Sequence, residues 1–245
     1  MEQRNYRYYD LRLSDVTLTA GFCFPDTAGR FGAYCLGESE KSEGLLVPDC
    51  ELDVWHGYGL EADGQFEYSC FTSIASDELS KHGKGIMHAV AFRFRDKAYL
   101  ISAPSGVGKS TMIHTLQKLY PGEFSVICGD RPILSCREDG SFLVEPSPWN
   151  GKEEWFGADA AVLGGFIRLS RSEQSSIRRL EMRNAALPVY NAWIQTLLEE
   201  ATIHRFAELS TALIEAVPVW NFVSGGVPES ARFLYENMLS KEAEV

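Results

Sequence analysis

The chain has 245 residues, of which 45% are hydrophobic, and its formal net charge is −11 at pH 7. Because a nucleic-acid partner requires a basic face, this acidic balance argues against DNA or RNA binding. No apolar stretch approaches the length of a membrane span, and the polar N-terminal residues are unlike a secretory signal. The 6 cysteines are scattered with no Cys-x-x-Cys pair, so we expect reduced thiols in the cytoplasm and neither zinc nor a redox motif.

Residues 1–80 are interpreted as a β-rich lobe that packs onto a core formed by residues 81–245. Alternating or apolar runs predict strands, and Gly/Asp/Pro clusters predict turns. The strand predictions are 10–18, 45–47 and 66–71, and the turn predictions are 25–29 and 60–64. The aromatic pairs at 8–9 and 55–56 are assigned to packing, because aromatic side chains are mostly core material.

From residue 86 the pattern becomes clearer. Residues 88–95 alternate apolar and polar side chains and predict a strand, which a turn at 96–97 connects to the next one. The period of two puts His88 on the buried face, at the end of the hairpin that lies beside the following glycine-rich turn. His88 is either a hydrogen-bonded core histidine or a member of a site at that turn.

Residues 98–116 predict a strand, a small glycine-containing turn and a helix, which is the setting that a phosphate-binding loop requires. Glycines let backbone N–H groups turn inward around phosphate oxygens, and the helix adds the positive end of its dipole. Lys109 supplies a charge for the outer phosphates of a nucleotide, and the Ser110 hydroxyl can ligate Mg²⁺. Ala103 replaces the usual first glycine. The residues assigned to nucleotide binding are Ser105, Gly106, Val107, Gly108, Lys109, Ser110 and Thr111.

A short apolar strand is predicted at 124–128 and is followed at once by Gly129 and Asp130. An aspartate in this position is often only a turn residue. In P-loop proteins, however, the second metal ligand follows an apolar strand, at the Walker B position. Because a phosphate-binding loop precedes it, we favour the metal-ligand interpretation of Asp130.

The remaining elements are predicted in order. They are a hairpin of 132–136 and 142–145, a loop at 146–153, a strand at 160–169, helices at 187–198 and 206–217, a strand at 217–222 and a final helix opened by Pro228. The loop carries Trp149, Lys152 and Glu153, either as binding groups or as a solvated surface. The arginines at 168, 171, 178, 179 and 183 form a solvated face or a cluster that receives an anionic substrate.

Four sequence pieces together resemble the HPr kinase/phosphorylase and PEP-carboxykinase group of P-loop enzymes, in particular its smaller HPr-kinase-related members. They are Met87-His88-Ala89, the loop 104–111, Gly129-Asp130-Arg131-Pro132, and Pro148-Trp149-Asn150-Gly151-Lys152-Glu153. The resemblance implies an α/β fold with a mixed sheet flanked by helices, here with a β-rich N-terminal lobe. One departure is that HPr kinases have Asp-Asp where this chain has Gly129-Asp130.

The resemblance also implies roles for particular residues. His88 would lie near the transferred phosphate, Asp130 would hold Mg²⁺ and accept the proton of the attacking hydroxyl, and Lys152 would neutralise phosphate charge. Because one aspartate is missing, either Asp130 serves both needs, or Glu145 or Glu153 takes over one of them. The expected catalytic residues are therefore His88, Lys109, Asp130 and Lys152, and the metal ligands are Ser110 and Asp130.

The first functional hypothesis is a Mg²⁺- and ATP-dependent kinase that phosphorylates a hydroxyl. Its acceptor would be a serine in a small protein or peptide, or a small molecule, and a homo-oligomer is compatible with the sequence. The second hypothesis is a nucleotide-binding regulator without catalysis, which the missing aspartate makes credible. PEP-carboxykinase-like chemistry is disfavoured, because neither its second metal nor a carboxylate-binding arginine can be assigned.

Overall fold

The computed structural model describes residues 5–47, 63–151 and 159–242. The strands are β1 (Arg7–Leu13), β2 (Val16–Phe22), β3 (Cys35–Glu38), β4 (Leu45–Leu46), β5 (Lys84–Ile86), β6 (Val90–Phe94), β7 (Lys97–Ser102), β8 (Phe124–Cys128), β9 (Ile133–Cys136), β10 (Phe142–Glu145), β11 (Ala161–Arg171), β12 (Ser176–Arg179) and β13 (Val219–Ser224). The helices are α1 (Thr27–Arg30), α2 (Gly64–Ser80), α3 (Lys109–Leu119), α4 (Met182–Tyr190), α5 (Glu200–Ala216), α6 (Glu229–Leu234) and α7 (Ser240–Glu242). A 3-10 turn covers Gly32–Tyr34, and a π-helical turn, Tyr235–Leu239, joins α6 to α7. Among the described helices, none combines the length and the apolar character needed to cross a membrane.

The first sheet belongs to the N-terminal part of the chain and has the strand order β3-β1-β2-β4. The alternating run predicted at 10–18 is in fact the centre of a hairpin, in which β1 and β2 pair antiparallel around a turn at Ser14. Ser14 adopts a φ of 59°, which permits the tight reversal. The alternating apolar side chains of this hairpin are buried against α2, in a core cluster that also contains Phe71 and Leu79.

Helix α2 replaces the strand that was predicted at 66–71, so that prediction is wrong. Asp63 caps the helix because its side chain accepts a hydrogen bond from the backbone N–H of Phe66 at 2.8 Å. Phe71, Ala75 and Leu79 recur every four residues and are fully buried, which is a helical spacing that the short apolar run conceals. The carboxylate of Glu67, also fully buried, accepts from the Thr27 hydroxyl at 2.6 Å and from backbone N–H groups at Cys23 and Phe24.

The second sheet has nine strands among the described residues, in the order β5-β9-β10-β11-β7-β6-β8, with β13 pairing β11 and β12 pairing β13. The strands β7, β11 and β13 run parallel to one another. Strands β6 and β8 and the β9–β10 hairpin pair antiparallel, so the sheet is mixed. The mixed α/β class is therefore confirmed, and the carboxyl ends of three parallel strands lie together at one edge, where ligands are commonly bound.

Helices cover both faces of this sheet. On one face, α4 and α5 contribute Val189, Phe206 and Leu213 to the first core cluster. On the other face, α3 and the C-terminal helical segment contribute Ile113 and Leu234 to the second. The chain therefore leaves the sheet after residue 102 and soon enters α3, whose apolar side chains are buried against one face of the sheet.

The helix predicted at 187–198 is wrong over most of its length, because α4 ends at Tyr190 and a non-helical segment follows. The apolar residues of that segment are used for packing on α5. Trp193 contacts Phe206, and its indole N–H donates to Ser210 Oγ at 3.0 Å. The division at residue 80 stays a prediction, although the cluster under the first sheet also contains Ile133 from the second.

Candidate functional site

The glycine-rich segment forms a compact loop between β7 and α3. Strand β7 ends at Ser102, residues 103–108 form the loop, and α3 begins at Lys109. Gly106 and Gly108 adopt φ angles of 79° and 108°, in the left-handed region that favours glycine. A Cβ on Gly108 would also lie 2.7 Å from the Arg171 guanidinium, so a side chain there would be both strained and obstructed. No side chain in the described residues caps the N-terminus of α3, which leaves its backbone donors directed at the loop.

The predicted residues Lys109, His88 and Asp130 lie together at this loop. Lys109 Nζ donates to the backbone oxygen of Ala103 at 3.0 Å and lies 3.1 Å from His88 Nε2. His88 Nε2 lies 3.5 Å from Asp130 Oδ1, and Arg131 Nε lies 3.3 Å from Asp130 Oδ2. Residues from three separate parts of the chain thus form one row of three basic groups and one carboxylate, which we call the charged cluster (His88, Lys109, Asp130 and Arg131).

The charged cluster holds two basic groups in contact. Burial lowers the pKa of His88, the Lys109 ammonium lowers it further, and Asp130 opposes both effects. Burial also lowers the pKa of Lys109, again opposed by Asp130. The cations therefore exceed what the one carboxylate can neutralise, and an anion placed beside Lys109 and His88 would stabilise their charged forms.

Arg131 connects the charged cluster to α2. Its NH1 group donates to Thr72 Oγ1 at 2.6 Å and to the backbone oxygen of Ser69 at 3.3 Å. The Ser147 hydroxyl also holds this residue in place, because it donates to the backbone oxygen of Arg131 at 2.5 Å. Helix α2 thus fixes the guanidinium that faces Asp130. Sequence reasoning missed Thr72, because no local pattern indicates a contact that spans 59 residues.

The loop after β10 packs directly against Asp130. The side-chain oxygen of Asn150 accepts from the backbone N–H of Gly129 at 2.6 Å. Gly151 has a φ of 78°, and a Cβ there would lie 3.1 Å from the Asp130 Cβ. Trp149 is buried and its indole N–H donates to the backbone oxygen of Tyr68 at 2.9 Å. The predicted residues Lys152 and Glu153 follow this loop and lie outside the described residues.

Glu145 does not take the place of the missing aspartate. Its Oε2 accepts hydrogen bonds from Ser14 Oγ at 2.9 Å and from Ser135 Oγ at 2.7 Å. It lines a different cavity, between the two sheets, which does not include any member of the charged cluster. Within the described residues, Asp130 is the one carboxylate in ion-pair contact with His88.

Oxygen donors for a metal are few at this site. In the parts of the chain that the structure describes, no group of three or more His, Cys, Asp or Glu side chains could hold a metal ion. The available donors are the Ser110 hydroxyl at the start of α3 and the Asp130 carboxylate, which is 30% exposed. An all-oxygen set with so few protein ligands suits Mg²⁺, which usually keeps several waters and shares phosphate oxygens.

Two cavities flank the loop on opposite sides. The His88 cavity has a volume of about 520 Å³ and is lined by His88, Ser102, Ala103, Pro104, Phe166, Arg168, Arg183, Asn184, Leu187, Pro188, Asn191 and Ala192. The Gly108 cavity has a volume of about 310 Å³ and is lined by Val107, Gly108, Thr111, Met112, Leu169, Arg171, Ser172, Ser224, Gly225, Gly226 and Val227. Strand β11 supplies one arginine to each, Arg168 and Arg171, from the basic group whose role the sequence left open.

Comparison with known proteins finds distant likenesses among solved structures alone. No family model matches the chain, and no curated protein does. Among solved structures, the chain is similar to the HPr(Ser) kinase/phosphatase from Coxiella burnetii, with 12% identity and a TM-score of 0.38, over 64% of this chain and 98% of that one. At that TM-score the likeness assigns no role to any residue of this chain.

Proposed function

We propose that the chain is a Mg²⁺-dependent P-loop phosphotransferase that moves the γ-phosphate of ATP to a hydroxyl group. The observation that carries this proposal is the convergence of Lys109, His88 and Asp130 beside the N-terminus of α3. Phosphoryl transfer demands little covalent chemistry from a protein, and it depends on alignment and on positive charge around the transferred group. The excess of cations over carboxylates in the charged cluster meets that demand.

The loop and the start of α3 supply the nucleotide-binding groups in this proposal. Backbone N–H groups of residues 105–111 face the phosphates, and the Lys109 ammonium neutralises the outer ones. Ser110 and Asp130 would hold Mg²⁺, which when bound neutralises charge on the phosphate oxygens. Lys152 is proposed to add a further cation, and this role stays a prediction because the residue lies outside the described part.

Transfer itself requires one bond to form and one to break. The acceptor oxygen bonds to the γ-phosphorus while the bond from phosphorus to the bridging oxygen of ADP breaks, and ADP leaves. The hydroxyl proton passes to Asp130, which Arg131 orients from the opposite side at 3.3 Å. His88 Nε2 lies 3.1 Å from Lys109 Nζ, and in this proposal its imidazole is therefore close to the transferred group.

A second candidate function is nucleotide binding without catalysis. Gly129 stands where HPr kinases carry another aspartate, and Glu145 is bonded elsewhere. A single carboxylate that both binds the metal and receives the proton is a weaker catalyst than a pair. The chain would then bind ATP and signal its presence to a partner in a peptide-modification pathway.

The experiment that separates these candidates measures turnover and binding in the same samples. Lys109→Ala is compared with Lys118→Ala, an exposed lysine near the other end of α3. We expect the first variant to abolish ATP turnover and the second to retain it, with matching circular dichroism spectra. Mass spectrometry of a cell extract incubated with ATP and Mg²⁺ should reveal an added phosphate. Full activity of Lys109→Ala would refute both candidates, whereas nucleotide binding without turnover in the unmutated chain would favour the regulator.

A further inference from the structure

We propose that the His88 cavity is the acceptor subsite, and that it takes a small hydroxyl compound that also carries an anionic group, a carboxylate or a phosphate, bound by Arg168. This inference rests on the proposed phosphotransferase function and specifies the class of its acceptor. The arginines between 168 and 183 were interpreted from the sequence as a solvated face or as an anion-binding cluster. The proposal favours anion binding, at Arg168.

The position of the terminal phosphate follows from Lys109. In a phosphate-binding loop the lysine reaches the outer phosphates, so its ammonium marks the end of the nucleotide that reacts. Lys109 Nζ is 3.1 Å from His88 Nε2, and His88 lines the 520 Å³ cavity. The Gly108 cavity contains neither residue and opens beside Thr111, further along α3. An acceptor hydroxyl can therefore approach from the His88 cavity, while the Gly108 cavity is left for the nucleoside.

Arg168 gives the His88 cavity its charge. It lies opposite Ser102 in the pairing of β11 with β7, at the strand ends where the loop begins. It is exposed although its neighbours Ile167 and Leu169 are buried. Across residues 5–47, 63–151 and 159–242, no carboxylate lies within ion-pair distance of Arg168, in a chain whose net charge is −11. An unneutralised guanidinium in a concave site is suited to binding a carboxylate or a phosphate bidentately.

The other walls limit the size and the chemistry of the occupant. Arg183 lies at the rim, where it is 81% exposed and paired with Glu181 at 3.0 Å, so it contributes less than Arg168. Asn184 and Asn191 offer amide groups, and Phe166 forms an apolar wall. A volume of about 520 Å³ is typical of small-molecule sites. A small acceptor that combines a hydroxyl with one anion fits this set of groups.

The first test compares acceptors that differ in charge. D-Glycerate and glycerol 3-phosphate are offered with ATP and Mg²⁺, and glycerol serves as the neutral counterpart of both. We expect phosphorylated product from at least one anionic compound, with kcat/KM at least about 10-fold above its neutral counterpart. Comparing kcat/KM for glycerate and for glycerol 3-phosphate shows whether the site prefers a carboxylate or a phosphate. Equal reaction, or equal absence of reaction, for charged and neutral compounds would overturn the anionic acceptor.

The second test measures occupancy of the site without turnover. Phenylglyoxal modifies accessible arginines, and mass spectrometry reports the rate at each one. Glycerate or glycerol 3-phosphate should slow modification of Arg168 several-fold and leave Arg12, exposed on β1, unchanged. In Arg168→Gln the ratio of kcat/KM between charged and neutral acceptors should fall about 10-fold, because KM for the charged acceptor rises. In Arg12→Gln this ratio should be unchanged. Equal protection of the two arginines would refute the site.

The two proposals fail in distinguishable ways. In the first case, a fluorescent ATP analogue binds only when Lys109 is present, but the acceptors do not protect Arg168 from modification. This result would support the phosphotransferase site and rule out the anionic acceptor. In the second case, the acceptors protect Arg168, but nucleotide binding is unchanged in Lys109→Ala. This result would support an anion site at Arg168 and rule out the proposed function.

Discussion

The cavity between the two sheets and the loop region contrast in how their charges are neutralised. We call the former the seam cavity; it has a volume of about 1260 Å³, more than twice that of the His88 cavity. In the seam, Lys84 Nζ lies 3.1 Å from Asp15 Oδ1 and 3.0 Å from Ser135 Oγ. Glu145 accepts from two hydroxyls, and so every one of these groups already has a partner within the protein.

At the loop the arrangement is the opposite. Lys109 and His88 are in contact, the pKa of each is lowered, and Asp130 is shared between His88 and Arg131. The folded chain holds these basic groups together at a cost in free energy, which a bound anion would reduce. We infer from this difference that crowded basic groups, rather than cavity size, mark the place for the proposed nucleotide. Matched substitutions in the two regions should therefore have different effects on activity.

The largest difference is expected from the two lysines. Lys109→Met should reduce kcat about 10²–10³-fold, or roughly 3–4 kcal/mol, because it removes a cation directed at the transferred group. Lys84→Met, which makes the same change in the seam, should leave kcat within about 2-fold. Steady-state ATP turnover measures both, with thermal unfolding as the control for folding. A similar loss in both variants would mean that the seam also serves the reaction.

The carboxylates provide the next comparison. Asp130→Asn should lower kcat about 10²-fold and raise the Mg²⁺ concentration required for half-maximal activity, because it weakens metal binding and removes the proton acceptor. Glu145→Gln keeps one amide oxygen, whose two lone pairs can accept from both Ser14 and Ser135 as Oε2 does now, and should change neither quantity by more than about 2-fold. A magnesium titration of both variants measures this. Unchanged magnesium dependence in Asp130→Asn would remove Asp130 from the metal site.

A smaller effect is expected from Thr72, which acts on Asp130 only through Arg131. Thr72→Val removes the hydroxyl that accepts from Arg131 at 2.6 Å and should lower kcat about 5-fold, or about 1 kcal/mol, with little change in KM. Thr211→Val, on an exposed position of α5, is the matched control. A fall in thermal stability without a kcat effect would show that Thr72 is merely structural.

Local sequence patterns predicted the centre of the second sheet well, and long-range contacts explain what they missed. Strand β8 was predicted with its observed bounds, and the loop between β7 and α3 follows from neighbouring residues alone. Helix α2 was missed because its cap, Asp63, precedes a run that also reads as a strand. The link from Thr72 to Arg131 joins distant segments, and nothing in either one indicates the other. The choice of Arg168 over its neighbours likewise depends on strand register.

The smallest expected effect concerns the seam at acid pH. The hydrogen bond from Lys84 lowers the pKa of Asp15 below its ordinary value of 3.8, so the folded state binds this proton more weakly than the unfolded chain does. The contribution of Asp15 to stability is therefore present above pH 3.8 and is lost as the pH falls through the lowered pKa. Asp15→Asn should flatten this part of the acid limb in urea unfolding and leave turnover at neutral pH unchanged. The change should stay within about 1 kcal/mol, because Asp15 is exposed to solvent. An acid limb that is identical in the two proteins would mean that the Lys84–Asp15 pair does not hold the seam together in solution.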